Sequence, residues 1–218
     1  MTNSGAGRRL LLLALAVAAW LVCFALLVRL GTWAGFALAG AALVALALKF
    51  DPALLGLLRP SVAKVGMGFL LGAMMILLTH ATFLVVTVRL PEIRTATRGL
   101  YALLNNSGFS PVAQAAFVVV VAACEEILFR GVLAGTGPGI DQGGSHNLLT
   151  WRGLGTIVAL AACYAAATLT LGSFLLVVCA FLCGMAWGGL RVATRSLVAP
   201  IVAHVVWDLG IFLAWPLV

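Results

Sequence analysis

Charge is what this sequence has least of. Only 9% of its 218 residues are Asp, Glu, Lys or Arg, 64% are hydrophobic, and the mean hydropathy is +1.19. A soluble domain carries roughly 25% charged residues, so water could not solvate the surface these side chains would form, whereas lipid could. The five cysteines (Cys23, Cys124, Cys163, Cys179 and Cys183) lie in apolar runs with no paired CxxC spacing. That excludes a disulfide framework and leaves them as small buried hydrophobes. The three histidines, His80, His146 and His204, are scattered, and no HExxH is present. A zinc site of that kind is therefore excluded, and no metal or other cofactor is expected. No GxSxG pairs a serine with His204, which removes the common serine-hydrolase arrangement. The basic residues do not cluster with aromatics, so no nucleic-acid partner is expected.

What is present is a succession of apolar runs. A membrane span needs about 20 such residues, and the chain is long enough for about seven. The spans are expected over Leu10–Leu30, from there to near Lys49, Val65–Val88, Pro111–Ala134, Trp151–Leu171, Ser173–Leu190, and a last one after a basic turn at Arg191–Arg195. Leu90 to Asn106 is more polar and reads as an interfacial helix or a connector. Gly135 to Asn147 reads as a glycine-rich loop. The fold class is thus all-α, a polytopic transmembrane helical bundle forming a single integral membrane domain over residues 1–218. Most connector arginines and lysines fall on one side if the N-terminus is inside, which the positive-inside rule favours. The GxxxG spacings Gly31–Gly35, Gly68–Gly72 and Gly184–Gly188 predict close helix packing within the bundle.

Against this background a few ionisable residues stand out. Of six acidic residues, Glu125, Glu126 and Asp208 lie inside apolar spans, together with Arg130, His204 and His80. Placing a charge at a helix centre costs about 2.5–3.5 kcal/mol on insertion scales, so such groups face the bundle interior and find partners. Glu126 and Arg130 stack on one helix face and are expected to pair. Glu125 is turned about 100° from Glu126 and stays un-neutralised, free to accept a proton as a general base. His204 and Asp208 share a face of the last span, where imidazole and carboxyl could bind water, orient each other or stabilise an oxyanion. A structural reading remains beside each: a helix-locking ion pair, and a hydrogen-bonded pair joining helices.

The run Glu125-Glu126-Ile127-Leu128-Phe129-Arg130 is an EExxxR motif, and His204 with Asp208 fits HxxxN/D. With Ser196-Leu197-Val198-Ala199-Pro200-Ile201 leading into His204, these elements resemble the CPBP intramembrane glutamic proteases, the CAAX protease or bacteriocin-immunity (Abi) family. The resemblance covers a core over residues 111–210. It implies that Glu125 is the general base, that Glu126 and Arg130 support it, and that His204 and Asp208 form the oxyanion side. A middle FxxxH motif, whose histidine helps to activate water in that family, aligns with Tyr164-Ala165-Ala166-Ala167-Thr168, so Thr168 stands where histidine belongs.

The resemblance implies an intramembrane endopeptidase acting on a membrane-associated protein or peptide, within the bilayer of a bacterial inner membrane. Thr168 leaves three possibilities open: Glu125 acts alone, His80 approaches from the third span, or catalysis is weakened. Two other functions stay open as well. One is a non-catalytic relative binding a hydrophobic or lipidated peptide. The other is a small transporter or proton-relay protein using Glu125, Glu126 and His204.

Overall fold

In a computed structural model the structure describes residues 18–20, 22, 33–105, 108–132 and 151–218. Among these, every regular element is helical. The helices are α1 (Trp33–Phe50), a single turn α2 (Leu54–Leu57), α3 (Val62–Arg89), α4 (Glu92–Asn105), α5 (Pro111–Glu125), α6 (Trp151–Ala167), α7 (Phe174–Thr194) and α8 (Val198–Leu209). Two of them change pitch as they continue: α5 runs into a π-helical turn over Glu126–Val132, and α8 into another over Gly210–Ala214. A short 3-10 turn, Thr168–Leu171, finishes α6. Most of the expected first span and the loop at 135–147 lie outside the described residues, as do the side chains of the first GxxxG pair.

Helix starts are set by serine. Ser61, Ser110 and Ser173 each accept a hydrogen bond from the backbone N–H three residues on, at 3.3 Å. Each satisfies one of the amides that have no partner within the helix, and Pro111 follows Ser110 where a missing N–H costs nothing.

Among the described residues, three helices are long and apolar enough to cross a membrane: Val62–Arg89, Pro111–Val132 and Phe174–Thr194. Shorter apolar helices cover Ala37–Lys49, Gly153–Ala167 and Val198–Ala214. The outward face of α3 is a row of apolar side chains, with Leu70 70%, Val85 69% and Val88 78% exposed. In water that row would be untenable, and in hydrocarbon it is the expected surface. The chain is an integral membrane protein.

Glycine lets the helices that carry the polar residues approach closely. On α3, a Cβ at Gly72 would stand 2.8 Å from the carbonyl oxygen of Ala203, and Gly68 abuts Ala199 in the same way. On α7, Gly184 and Gly188 face Ala161 and Ile157 of α6. The second and third GxxxG spacings thus serve packing inside the bundle, as expected.

The polar segment after α3 is a helix, α4. Its Tyr101 donates to the carbonyl of Ile211 at 2.6 Å and accepts from Leu217 N–H at 3.2 Å. The helix therefore clamps the end of α8. Burial pushes the Tyr101 phenol up, so the donor keeps its proton.

One expectation is corrected. Arg191 is not part of a basic turn: α7 continues to Thr194, and Arg191 is 1% exposed. The break comes at Arg195, whose φ of 50° ends the helix in the left-handed region.

Candidate active site

The site is assembled from α5, α6, α7 and α8. Glu125 closes α5, and Glu126 to Arg130 lie in the π turn that follows. All three ionisable members of the EExxxR motif are buried, Glu125 to 4% and both Glu126 and Arg130 to 0%. Arg130 Nη1 donates to Glu126 Oε1 at 3.0 Å, the pair expected from their spacing. The guanidinium also lies over aromatic faces, 4.6 Å from the Tyr164 ring centroid and 5.5 Å from that of Trp187. Such contacts are stronger where water is excluded.

His204 is the point on which the carboxylates converge. Its Nδ1 is 2.9 Å from Glu126 Oε1, and its Nε2 is 3.6 Å from Glu125 Oε2 and 3.4 Å from Asp208 Oδ2. The ring is 2% exposed and stacks on Trp187 with centroids 3.7 Å apart. An ionised carboxylate only accepts hydrogen bonds, so Nδ1 carries a proton and donates to Glu126. That fixes the tautomer and points Nε2 at the gap between Glu125 and Asp208. Regular helix geometry predicts that Glu125 and Glu126 face different ways. They reach the same imidazole by different nitrogens, and the change of pitch at Glu126 shifts the phase of the helix where they sit.

Two residues of the site carry no signal in the sequence. Tyr164 Oη donates to Glu125 Oε2 at 2.7 Å. Arg191 Nε donates to the Arg130 carbonyl at 3.2 Å, satisfying an acceptor near the end of the described helix in a setting where water cannot. Tyr164 is hidden as one hydroxyl in an alanine-rich run. Arg191 is hidden by its nearness to Arg195.

Thr168 is buried, and its hydroxyl donates to the Ala165 carbonyl at 2.8 Å. It is thus turned to its own helix. His80 is occupied elsewhere: Nδ1 lies 3.0 Å from the Ile76 carbonyl oxygen, and the ring stacks on Trp215 at 3.9 Å. Ser196 of the run before His204 fastens the start of α8. Its hydroxyl and the Leu197 N–H both donate to the Leu57 carbonyl, at 3.0 and 2.9 Å.

Three carboxylates thus surround one imidazole, with Arg130 on Glu126 and Arg191 on the Arg130 carbonyl. A cluster of this kind, carboxyls gathered around one imidazole, has the groups needed to pass a proton to or from a bound water.

Residues 107–210 match a protein-family model described as type II CAAX prenyl endopeptidase, Rce1-like. The match spans both motifs and the helices that bring them together. This region is similar to the Rce1-like family. No curated protein and no solved structure shows detectable similarity to the chain. The resemblance read from EExxxR and the approach to His204 is borne out, and the Rce1-like family is one of membrane endopeptidases. The Rce1-like region contains Glu125, Glu126, Arg130, Tyr164, Thr168, Arg191, His204 and Asp208, whereas α1 to α4 lie outside it.

Proposed function

We propose that the chain is an intramembrane glutamic endopeptidase that hydrolyses a peptide bond in a membrane-associated protein or peptide. The observation that carries this reading is the convergence of Glu125, Glu126 and Asp208 on the two nitrogens of His204. Glu125 is the general base: it takes a proton from a water, and the hydroxide attacks the scissile carbonyl carbon. The charge that develops on the carbonyl oxygen is met by the protonated Nε2 of His204, held by Glu126 through Nδ1 and adjusted by Asp208. The proton taken by Glu125 then passes to the leaving amine as the carbon–nitrogen bond breaks. Arg130 holds Glu126 in place. No metal ion takes part.

The family description makes a prenylated C-terminal peptide the first substrate class to try. The protein works as one integral membrane unit, with residues 111–210 as its core and the N-terminus on the inner side of a bacterial inner membrane. A second reading, a non-catalytic binder of a lipidated peptide, is favoured by one observation: the Thr168 hydroxyl is committed to Ala165, so Thr168 does not stand in for the middle-motif histidine.

Purified protein in proteoliposomes, offered a farnesylated CAAX reporter peptide and an unmodified transmembrane peptide, separates the two. The expected outcome is cleavage of at least one probe, unaffected by chelator and abolished by Glu125→Gln. Saturable binding of the farnesylated probe with neither probe cleaved supports the binder. Cleavage that survives Glu125→Gln, or that chelator removes and zinc restores, overturns the glutamic mechanism.

A further inference from the structure

We infer that Tyr164 is a positioning residue for Glu125, supplying from the start of the middle motif the partner that Thr168 does not supply from its end. This rests on the reading of Glu125 as the base. The geometry is direct. The phenol oxygen is 2.7 Å from Glu125 Oε2, whereas the imidazole stands farther from the same oxygen, at 3.6 Å. A buried carboxylate on a flexible side chain has several rotamers. A hydrogen bond from a fixed donor narrows that choice and holds Glu125 facing His204.

The donor is itself held on every side. Tyr164 is 7% exposed, with Phe129 edge-on at 5.2 Å, Trp187 edge-on at 6.0 Å and the Arg130 guanidinium 4.6 Å from its ring centroid. His204 presents its own edge at 6.3 Å. A tyrosine packed only for its ring would need no carboxylate beside its hydroxyl. Phenylalanine would fill the same space and leave Glu125 with one donor fewer.

The middle motif thus carries its polar contribution one helical turn earlier than a histidine at position 168 would. Thr168 starts the 3-10 turn at the end of α6, whereas Tyr164 lies within the regular part of that helix. The rigid element holds the donor.

Tyr164→Phe tests this, because it removes one oxygen and keeps the ring. Two readouts are used on protein in proteoliposomes. The first is the infrared carboxylate band of Glu125, identified by its loss in Glu125→Gln; it is expected to move in Tyr164→Phe and to stay put in Thr168→Val. The second is steady-state cleavage of whichever probe the parent hydrolyses. Hydrogen bonds to charged groups correspond to about 10- to 100-fold in rate, so kcat should fall by about that factor while KM holds. An unmoved band, or full kcat in Tyr164→Phe with Glu125→Gln inactive, overturns the role of Tyr164 and leaves the glutamic mechanism standing. Full activity in Glu125→Gln instead removes the mechanism itself, whatever Tyr164→Phe does.

Discussion

His204 and Glu126 join two helices through a single hydrogen bond, 2.9 Å from Nδ1 to Oε1, while the face of the histidine ring lies on Trp187. The imidazole is therefore a packing element as well as the proposed reacting group. These two roles set what its replacement does.

His204→Ala is expected to lower turnover and to loosen the bundle, because it leaves Glu126 short of a donor and opens a space beside Trp187. His204→Gln retains bulk and a donor. It should melt close to the parent while turnover falls about 100- to 1000-fold, the usual effect of losing one oxyanion donor. Thermal unfolding in detergent beside a peptide-cleavage assay distinguishes the two variants. Normal turnover in His204→Gln would remove the imidazole from the chemistry.

Arg130→Ala is expected to destabilise the protein by about 3–5 kcal/mol, since it leaves Glu126 buried and uncompensated. The measurement is accumulation in membranes together with melting temperature. A variant that accumulates and melts like the parent would show that the Glu126 pair contributes nothing to folding.

Gly72→Ala should disrupt the seam between α3 and α8, because its new methyl group meets the Ala203 carbonyl oxygen at 2.8 Å. Overpacking of this kind costs about 1–3 kcal/mol, and Ala203 directly precedes His204, so cleavage should fall too. Gly66→Ala, with nothing within 4 Å of its new methyl, is the control and should be neutral in both assays. Equal behaviour of the two variants would mean that α3 and α8 are not packed at Gly72.

Thr168→Val is expected to cleave within about twofold of the parent and to cost about 1 kcal/mol of stability, because the lost hydroxyl had donated to a backbone carbonyl. Kinetics and melting are again the readouts. A folded Thr168→Val variant without activity would return the hydroxyl to the water-activating group.

Much of this site is legible in the amino-acid sequence, because a charge in an apolar run has few reasons to be there. Glu125, Glu126, Arg130, His204 and Asp208 stand out by that test alone, and the spacing of Glu126 and Arg130 predicts their pair. What the sequence hides follows different physics. Tyr164 is amphipathic, and tyrosine in a span draws no attention until its hydroxyl is seen on Glu125. Arg191 reads as a connector cation because a second arginine and the helix end lie close behind it, yet its stem reaches inward to a carbonyl. The relative aim of Glu125 and Glu126 depends on helix pitch, and nothing in the letters EExxxR announces a π turn. Along α3 and α5 to α8 apolar length alone decides the element, and there the expected spans and the helices agree. The polar stretch is helix α4, with Thr97 and Tyr101 on its buried face.

The π turn at Glu126–Val132 behaves as a slipped stitch in α5. A helix with that stitch taken out, by deletion of one residue between Ile127 and Phe129, would have almost the same hydropathy and the same net charge, and would still insert as a span. The residues from 126 to 132 would then follow the ordinary pitch, and the side chains within that turn would take new angles around the axis. Arg130 would stand three residues beyond Glu126 instead of four, and the pair and the Arg191 contact with the Arg130 carbonyl would both have to re-form at a new step of the helix. Whether these buried charges meet at one imidazole is, in this protein, a matter of angular timing along one helix.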